Sequence, residues 1–248
     1  MAGMAGARAW AFDDGGDTPR LLSFGGICLN CELSGRQLPS ARFMGADFEG
    51  TSLVHADLHG AAFFGSNFAN ADLSRANLRG ASLFGSTFLG ANFTGADLAG
   101  AQGNGVNLLT ANLTRANLEG AVLPGSVLLR VEAREAKFGH AQLMGANLSE
   151  GHFERASFAG ANLAAATLTG ASFAGADFGG ASLIRAALAG ADLSSAKRLT
   201  QPQIDQACGG PGLRLPPGLV GKTCKGGSHL IILRQGNPAK YVVQVDGR

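Results

Sequence analysis

From Ala41 to Ala196 the chain repeats a five-residue phrase without a single insertion or deletion. Ala71-Asp72-Leu73-Ser74-Arg75, Ala76-Asn77-Leu78-Arg79-Gly80 and Ala91-Asn92-Phe93-Thr94-Gly95 show it plainly. Of the 31 positions ending in 3 or 8 between Phe43 and Leu193, 29 are Leu or Phe, and Gly103 and Ala133 depart. Of the 32 positions ending in 1 or 6 between Ala41 and Ala196, 25 are Ala. Repetition this strict defines a solenoid, in which each unit touches only its neighbours along one axis.

A period of five fits neither a 3.6-residue helix nor a plain alternating strand. Ala and the following Leu or Phe are two apart, so an extended segment points both to one side. The next Ala comes three residues later, so the chain turns between them, and Gly45, Gly60 and Gly80 stand at such bends. Each phrase is one short extended side and one corner, with two residues inward and three outward. Six pairs of centre Phe residues lie 20 residues apart, among them Phe43/Phe63 and Phe158/Phe178, and none lies 10 apart. Ser66, Ser86, Val106 and Ser126 keep the same interval. Four sides therefore make one coil of 20 residues, and residues 41–200 make eight coils. At a strand spacing of about 4.8 Å the rod is about 38 Å long. Gly103 beside Val106, and Ala133 after Val131, read as volume moved from one inward site to the other.

This run of A(D/N)LXX phrases resembles the pentapeptide repeat family. The resemblance covers about two thirds of the chain and implies an all-β solenoid, a right-handed quadrilateral β-helix with four repeats per turn. Around it the organisation expected is a disordered N-terminus at 1–20, an N-terminal capping coil at 21–40, the repeat β-helix at 41–200 and a C-terminal cap at 201–248. In that cap Thr200-Gln201-Pro202-Gln203 reads as a capping box with Pro in the first turn. Ile204, Ala207 and Cys208 read as the buried stripe of a short helix, and Gly209 as its stop. His229–Arg234 and Lys240–Val245 suggest a β-hairpin around Gln235–Pro238.

Charge excludes strong claims about polyanions. Residues 41–200 hold 11 Lys/Arg and 12 Asp/Glu, a net of −1, and residues 201–248 hold six basic and two acidic residues. Direct nucleic-acid binding is not expected, nor is membrane insertion, since the longest apolar run in the tail is Leu230–Leu233. The start, from Met1 to Arg8, lacks the apolar stretch of a signal peptide, which favours the cytoplasm. Four cysteines pull the other way. Cys28 and Cys31 fall on the inward register, and three readings stay open: two small buried hydrophobes, a local disulfide, or a metal or redox pair. Cys208 and Cys224 are placed to staple the tail. Two disulfides would suit the periplasm or a secreted protein, and the compartment stays open.

No catalytic, cofactor-binding or metal-ligating constellation emerges, and no cofactor is expected. His55, His59, His140 and His152 all stand at outward positions. The outward Asp and Asn before each centre, such as Asp57, Asn77 and Asp97, recur too regularly for catalytic carboxylates. They read as supports for neighbouring coils through side-chain to backbone hydrogen bonds near the corners. Arg130, Glu132, Arg134, Glu135 and Lys137 gather both signs of charge on coils otherwise dressed with small residues. That patch reads as a mutually paired face or as a partner-binding surface. The functional reading is a non-enzymatic scaffold or protein-interaction module of unidentified target, monomeric or dimeric through the C-terminal tail. The alternative is a DNA mimic that binds and protects DNA gyrase or topoisomerase, as quinolone-resistance members of the resembled family do. The near-neutral rod and the basic tail depart from the strongly acidic surface such members present.

Overall fold

A computed structural model describes residues 26–224 in full, together with the backbone of 22–24, 231–234 and 241–244. The expectations for residues 1–20 and for the turn at Gln235–Pro238 lie outside the described residues.

Parallel pairing at a constant interval of twenty organises the chain. β1 (Leu22–Phe24) pairs with β2 (Arg42–Met44), which pairs with β3 (Ala62–Phe64), in the register Ser23–Phe43–Phe63. Beyond these strands the ladder consists of single bridges, such as Ile27–Asp47, Ser52–Asp72, Asp57–Asn77 and Asn67–Thr87, each again twenty residues apart. Bridges fall at every fifth residue, so each twenty-residue coil contributes four. A five-residue phrase leaves about three extended residues per side, so sustained strands do not develop. Most sides still make three backbone bonds to the coils next to them. Leu53 N–H donates to Asp72 O at 2.7 Å, Asp72 N–H to Thr51 O at 2.9 Å and His55 N–H to Ser74 O at 3.0 Å.

Every corner is a tight turn. Ala56 N–H closes onto Leu53 O at 3.0 Å, and the third turn residue, His55, has φ of +58°. All 33 corner residues from Asn30 to Gly190 share this left-handed φ, which a type II turn requires, and 14 of them are not Gly. Fixed corners of this kind keep the period at five with no slippage.

The two inward positions fill the interior. Leu73, Leu78, Phe88 and Phe93 are fully buried, and so are Ala81, Ala91 and their counterparts in nearly every coil. Phe48, Phe68 and Phe88 stack in one column at 4.8 and 5.0 Å, and Phe138, Phe158 and Phe178 in another at 4.9 and 5.3 Å. Burying each such ring contributes on the order of 1.5–3 kcal/mol. A Cβ built on Gly103 would come within 2.4 Å of Val106 Cγ2, so Val106 occupies the space that a centre side chain fills elsewhere. Phe153 takes the corresponding space at Gly151, where a Cβ would meet its ring at 2.5 Å.

At the C-terminal end α1 (Gln201–Gln206) starts from Thr200, whose N–H donates to Gln203 Oε1 at 2.8 Å. Gln203 Nε2 donates in turn to the carbonyls of Phe178 and Ala181, both at 2.8 Å, tying the helix to the coil beneath it. Ile204 and Ala207 are buried. The helix ends at Gln206 with Ala207 as its cap residue, short of the Gly209 stop expected, and Cys208 falls outside it. Pairing continues past it: Ala187 bridges Cys208 and Asp192 bridges Arg214, at intervals of 21 and 22. The helix thus takes the place of one side, and the chain resumes the ladder after it. β4 (Ile231–Arg234) and β5 (Tyr241–Gln244) pair antiparallel, Ile232 with Val243.

Candidate functional site

The outward positions divide into columns of residues twenty apart, so each exposed side chain meets the side chains one coil above and below. This geometry decides what the charged patch does. Residues 130–135 read Arg-Val-Glu-Ala-Arg-Glu, and residues 150–155 read Glu-Gly-His-Phe-Glu-Arg. Charge reverses at each outward position. Arg130 Nε donates to Glu150 Oε2 at 2.7 Å, Arg134 Nε lies 3.2 Å from Glu154 Oε2, and His152 Nε2 lies 3.9 Å from Glu132 Oε1. Arg115 and Arg155 flank Glu135 from both sides, at 3.0 and 4.0 Å. Within its own coil Arg134 Nη1 reaches Glu132 Oε2 at 2.6 Å. The Arg115 hydrogen bond and charge hold the Glu135 carboxyl below the usual carboxylate range. Burial pushes Glu154 up, but hydrogen bonds from Ser172 and His152 and the Arg134 charge outweigh it and leave its carboxyl lowered.

Arg130, Glu132, Arg134 and Glu135 therefore form one ladder on a single side of the rod. Lys137 is set apart from it. Its column runs through Asn117 and Ser157 on the next side, and none of the ion pairs among the described residues involves it. Exposed pairs like these contribute about 0–1 kcal/mol each. Their larger effect is on register, since a one-phrase slip would break every complementary contact at once.

The Asx residues act differently from the support expected of them. Asp57 Oδ1 accepts His59 N–H at 3.2 Å and Asn112 Oδ1 accepts Thr114 N–H at 3.0 Å, so their backbone bonds stay within their own corner. Contact with the neighbouring coil is side chain to side chain. Asn77 Nδ2 donates to Asp57 Oδ1 at 2.9 Å, Asn92 to Asp72 at 3.0 Å and Asn117 to Asp97 at 3.0 Å. An Asp below an Asn makes the best such step, because the carboxylate accepts both bonds while the amide donates one.

Cys28 and Cys31 are joined in a disulfide across one corner, and Cys208 and Cys224 in a second across the segment after α1. His59 Nδ1 sits 2.9 Å from Asp57 Oδ1, a corner contact in solvent. Among the described residues no three His, Cys, Asp or Glu side chains gather as a metal site. A cleft of about 330 Å³ lies beside the last coil, lined by Leu213, Leu215, Leu219 and Val220 with Lys222 at its margin. No helix among the described residues is long and apolar enough to cross a membrane.

Twenty-residue registration, two buried positions in each five and a left-handed residue at every corner define a repeat protein of the pentapeptide type. The sequence model for pentapeptide repeats matches in eight copies, over 41–80, 76–108, 111–149, 145–173 and 161–197. The chain belongs to the pentapeptide repeat family. Among solved structures it is similar to HetL of the cyanobacterium Nostoc sp. strain PCC 7120, a pentapeptide repeat protein involved in heterocyst differentiation regulation. That match has 28% identity over 78% of this chain and 86% of the other, with a TM-score of 0.37. It is also similar to QnrB1, a plasmid-mediated fluoroquinolone resistance protein, at 18% identity over 78% of this chain and 91% of the other, TM-score 0.37. A pentapeptide repeat protein from the Arabidopsis thaliana thylakoid lumen is 31% identical over 47% of this chain and 77% of the other, TM-score 0.28. No curated protein sequence matches the chain significantly.

Proposed function

We propose that this chain is a non-enzymatic interaction module, built as a right-handed quadrilateral β-helix that presents columns of outward side chains to a protein partner. One observation carries the reading: the interior is packed solid with Leu, Phe and Ala at both inward positions, so recognition falls to the three outward residues of each phrase. A rigid core with freely variable outward positions is a framework for contact. The organisation that goes with it is a capping coil at 21–40, repeats at 41–200 and a cap from 201 onward. Arg130, Glu132, Arg134 and Glu135 are neutralised by one another and their neighbours, which directs partner contact toward the remaining sides.

The test is affinity capture with the full chain against variants changed only at outward positions. Variants that lose a captured partner while melting at the wild-type temperature support an interaction module. Capture unaffected by substitutions on all four sides would contradict it. The gyrase-protecting alternative has a separate assay, supercoiling by DNA gyrase in ciprofloxacin. With a net of −1 over residues 41–200 the rod lacks the polyanionic surface of a duplex mimic, and no protection at micromolar protein is expected.

A further inference from the structure

The chain after α1 is held in two different ways. Residues 206–214 lie in the ladder. Arg185 N–H donates to Gln206 O at 2.7 Å, Cys208 N–H to Ala186 O at 2.8 Å, Leu193 N–H to Arg214 O at 2.8 Å and Arg214 N–H to Ala191 O at 3.0 Å. Residues 215–224 leave the ladder and run back past α1 as a strap. Among the described residues the strap's backbone pairing with the rest of the chain is the Gly209–Thr223 bridge, with Gly209 N–H donating to Lys222 O at 2.9 Å. Side chains of α1 supply other ties. Gln201 Nε2 donates to Val220 O at 2.9 Å, Gln201 Oε1 accepts Val220 N–H at 3.0 Å, and Lys222 Nζ lies 3.1 Å from Asp205 Oδ1. These ties are exposed, where each contributes little. The strap nonetheless closes tightly. A Cβ on Gly209 would come within 2.7 Å of Lys222 O, and one on Gly221 within 2.9 Å of Leu213 Cδ2. Closure packs Leu213, Leu215 and Leu219 against the core, each partly buried.

The second disulfide joins these two parts, running from Cys208 in the ladder to Cys224 at the exposed end of the strap. Cys28–Cys31 differs in kind. Cys28 is buried, its N–H donates to Asp47 O at 2.7 Å, and Cys31 O accepts Ser52 N–H at 2.8 Å. Both of those cysteines stay in the ladder whether or not their sulfurs are joined. We propose that Cys208–Cys224 is a redox latch, opened by a dithiol reductant, that frees residues 215–224 from α1 and uncovers the three leucines. A thiolate of the reductant attacks the sulfur of exposed Cys224, and the Cys208 thiolate leaves. The second thiolate of the reductant then displaces Cys224. Both cysteines end as thiols, each gaining one electron and one proton, and the reductant ends as a disulfide. Sixteen residues separate the two cysteines. Cross-linking a loop of about that size disfavours its open form by roughly a hundredfold, so reduction shifts the strap toward opening by a similar factor. The latch operates whatever partner the rod binds.

The test is amide hydrogen exchange of the full chain by nuclear magnetic resonance, before and after reduction with dithiothreitol, together with mass spectrometry of alkylated thiols. Protein isolated in air is expected to carry no alkylatable thiol. Rising dithiothreitol should open Cys208 and Cys224 to alkylation before Cys28 and Cys31. Exchange at the Gly209 and Val220 amides should then accelerate by at least about tenfold and up to about a hundredfold. Amides of Leu193 and Arg214, bonded within the ladder, should change by less than about threefold. Cys208→Ser/Cys224→Ser should reproduce the faster exchange without reductant, and Cys28→Ser/Cys31→Ser should leave the strap as protected as in the wild type. Free thiols at Cys208 and Cys224 from the outset, or strap amides indifferent to reduction, would overturn the latch. So would earlier reduction of Cys28–Cys31, or loss of protection at Leu193 and Arg214 together with the strap.

Discussion

The hydroxyl of Ser86 accepts the N–H of Ser66, one coil away, at 3.2 Å. Ser86 Oγ also donates to the carbonyl of Phe63, the group that the turn would otherwise join to Ser66 N–H. A buried hydroxyl has therefore been inserted into a corner of the neighbouring coil. Ser66 Oγ does the same for Ala46 N–H at 3.2 Å, Ser126 Oγ for Val106 N–H at 3.1 Å, and Thr51 Oγ1 donates to Cys28 O. These are the buried polar side chains of the interior, and each is satisfied by a backbone group.

Ser86→Ala removes both bonds at once. Ser66 N–H can then close onto Phe63 O, as Ala56 N–H does onto Leu53 O, so the loss should be partial. The expected cost is about 1 kcal/mol, a fall of about 2–4 °C in melting temperature. An unchanged melting temperature in a thermal scan would show that the inserted hydroxyl contributes nothing.

Inward and outward positions should differ sharply. Leu78 is fully buried, whereas Arg79 is exposed and pairs with Asp97 at 3.0 Å. Leu78→Asp places an unpaired carboxylate in the interior and is expected to abolish folding. Arg79→Asn loses only an exposed ion pair and should cost less than about 1 kcal/mol. Circular dichroism melts of the two variants side by side check this, and equal effects would refute the assignment.

Thr110 occupies a corner with φ of +56°, a conformation that a β-branched residue adopts only under strain. Left-handed geometry costs about 1–2 kcal/mol for a residue with a Cβ, part of which Gly returns through its freer unfolded chain. Thr110→Gly is therefore expected to stabilise by about 1 kcal/mol. Chemical denaturation should show a higher midpoint, and a lower one would contradict the corner geometry.

Acid should loosen the fold. The Arg198 hydrogen bond, which outweighs a smaller opposing effect of burial, holds Asp177 below its usual range, and the hydrogen bond from Ser194 does the same for Asp192. Asp57, Glu135 and Glu154 are also lowered. Because the folded carboxyls titrate lower, the unfolded chain binds more protons, and stability rises with pH in that range. The contribution is complete above the unfolded carboxylate value of about 4 and is lost as pH falls through the folded values. Melting temperature should be flat from neutrality to about pH 5.5 and decline below about pH 4. The decline should be modest, since these groups are largely exposed and solvent screens them. Asp177→Asn should flatten it further.

What the sequence made legible was whatever the period controls. The spacing of Phe43 from Phe63 and of Phe48 from Phe68 carried the twenty-residue interval, and the presence of Val106 beside Gly103 carried its own explanation in volume. Hydrogen-bond direction was not legible. Asp57 and Asn77 look alike in the repeat, yet one accepts twice and the other donates to the coil before it while capping its own corner. Ser66 and Ser86 marked the interval, but only the hydrogen bonds of their buried hydroxyls reveal that they bind backbone groups of the coil before. Helix α1 was recognisable from Thr200 to Gln203, whereas the return of Cys208 and Arg214 to the ladder depends on where the helix delivers the chain. The charge reversal between residues 130–135 and 150–155 was available in the sequence all along, and shows once the twenty-residue offset is laid over it.

The central claim is that the rod advances one layer for every twenty residues. Spin labels on cysteines introduced at Ser74 and Ser194 measure it directly, because both belong to one outward column and lie 120 residues apart. Pulsed electron paramagnetic resonance, with labelled protein diluted in unlabelled protein, should give a distance near roughly 29 Å, six layers of about 4.8 Å. A distance near roughly 38 Å would mean fifteen-residue coils and one near roughly 23 Å twenty-five-residue coils, and either would contradict the account.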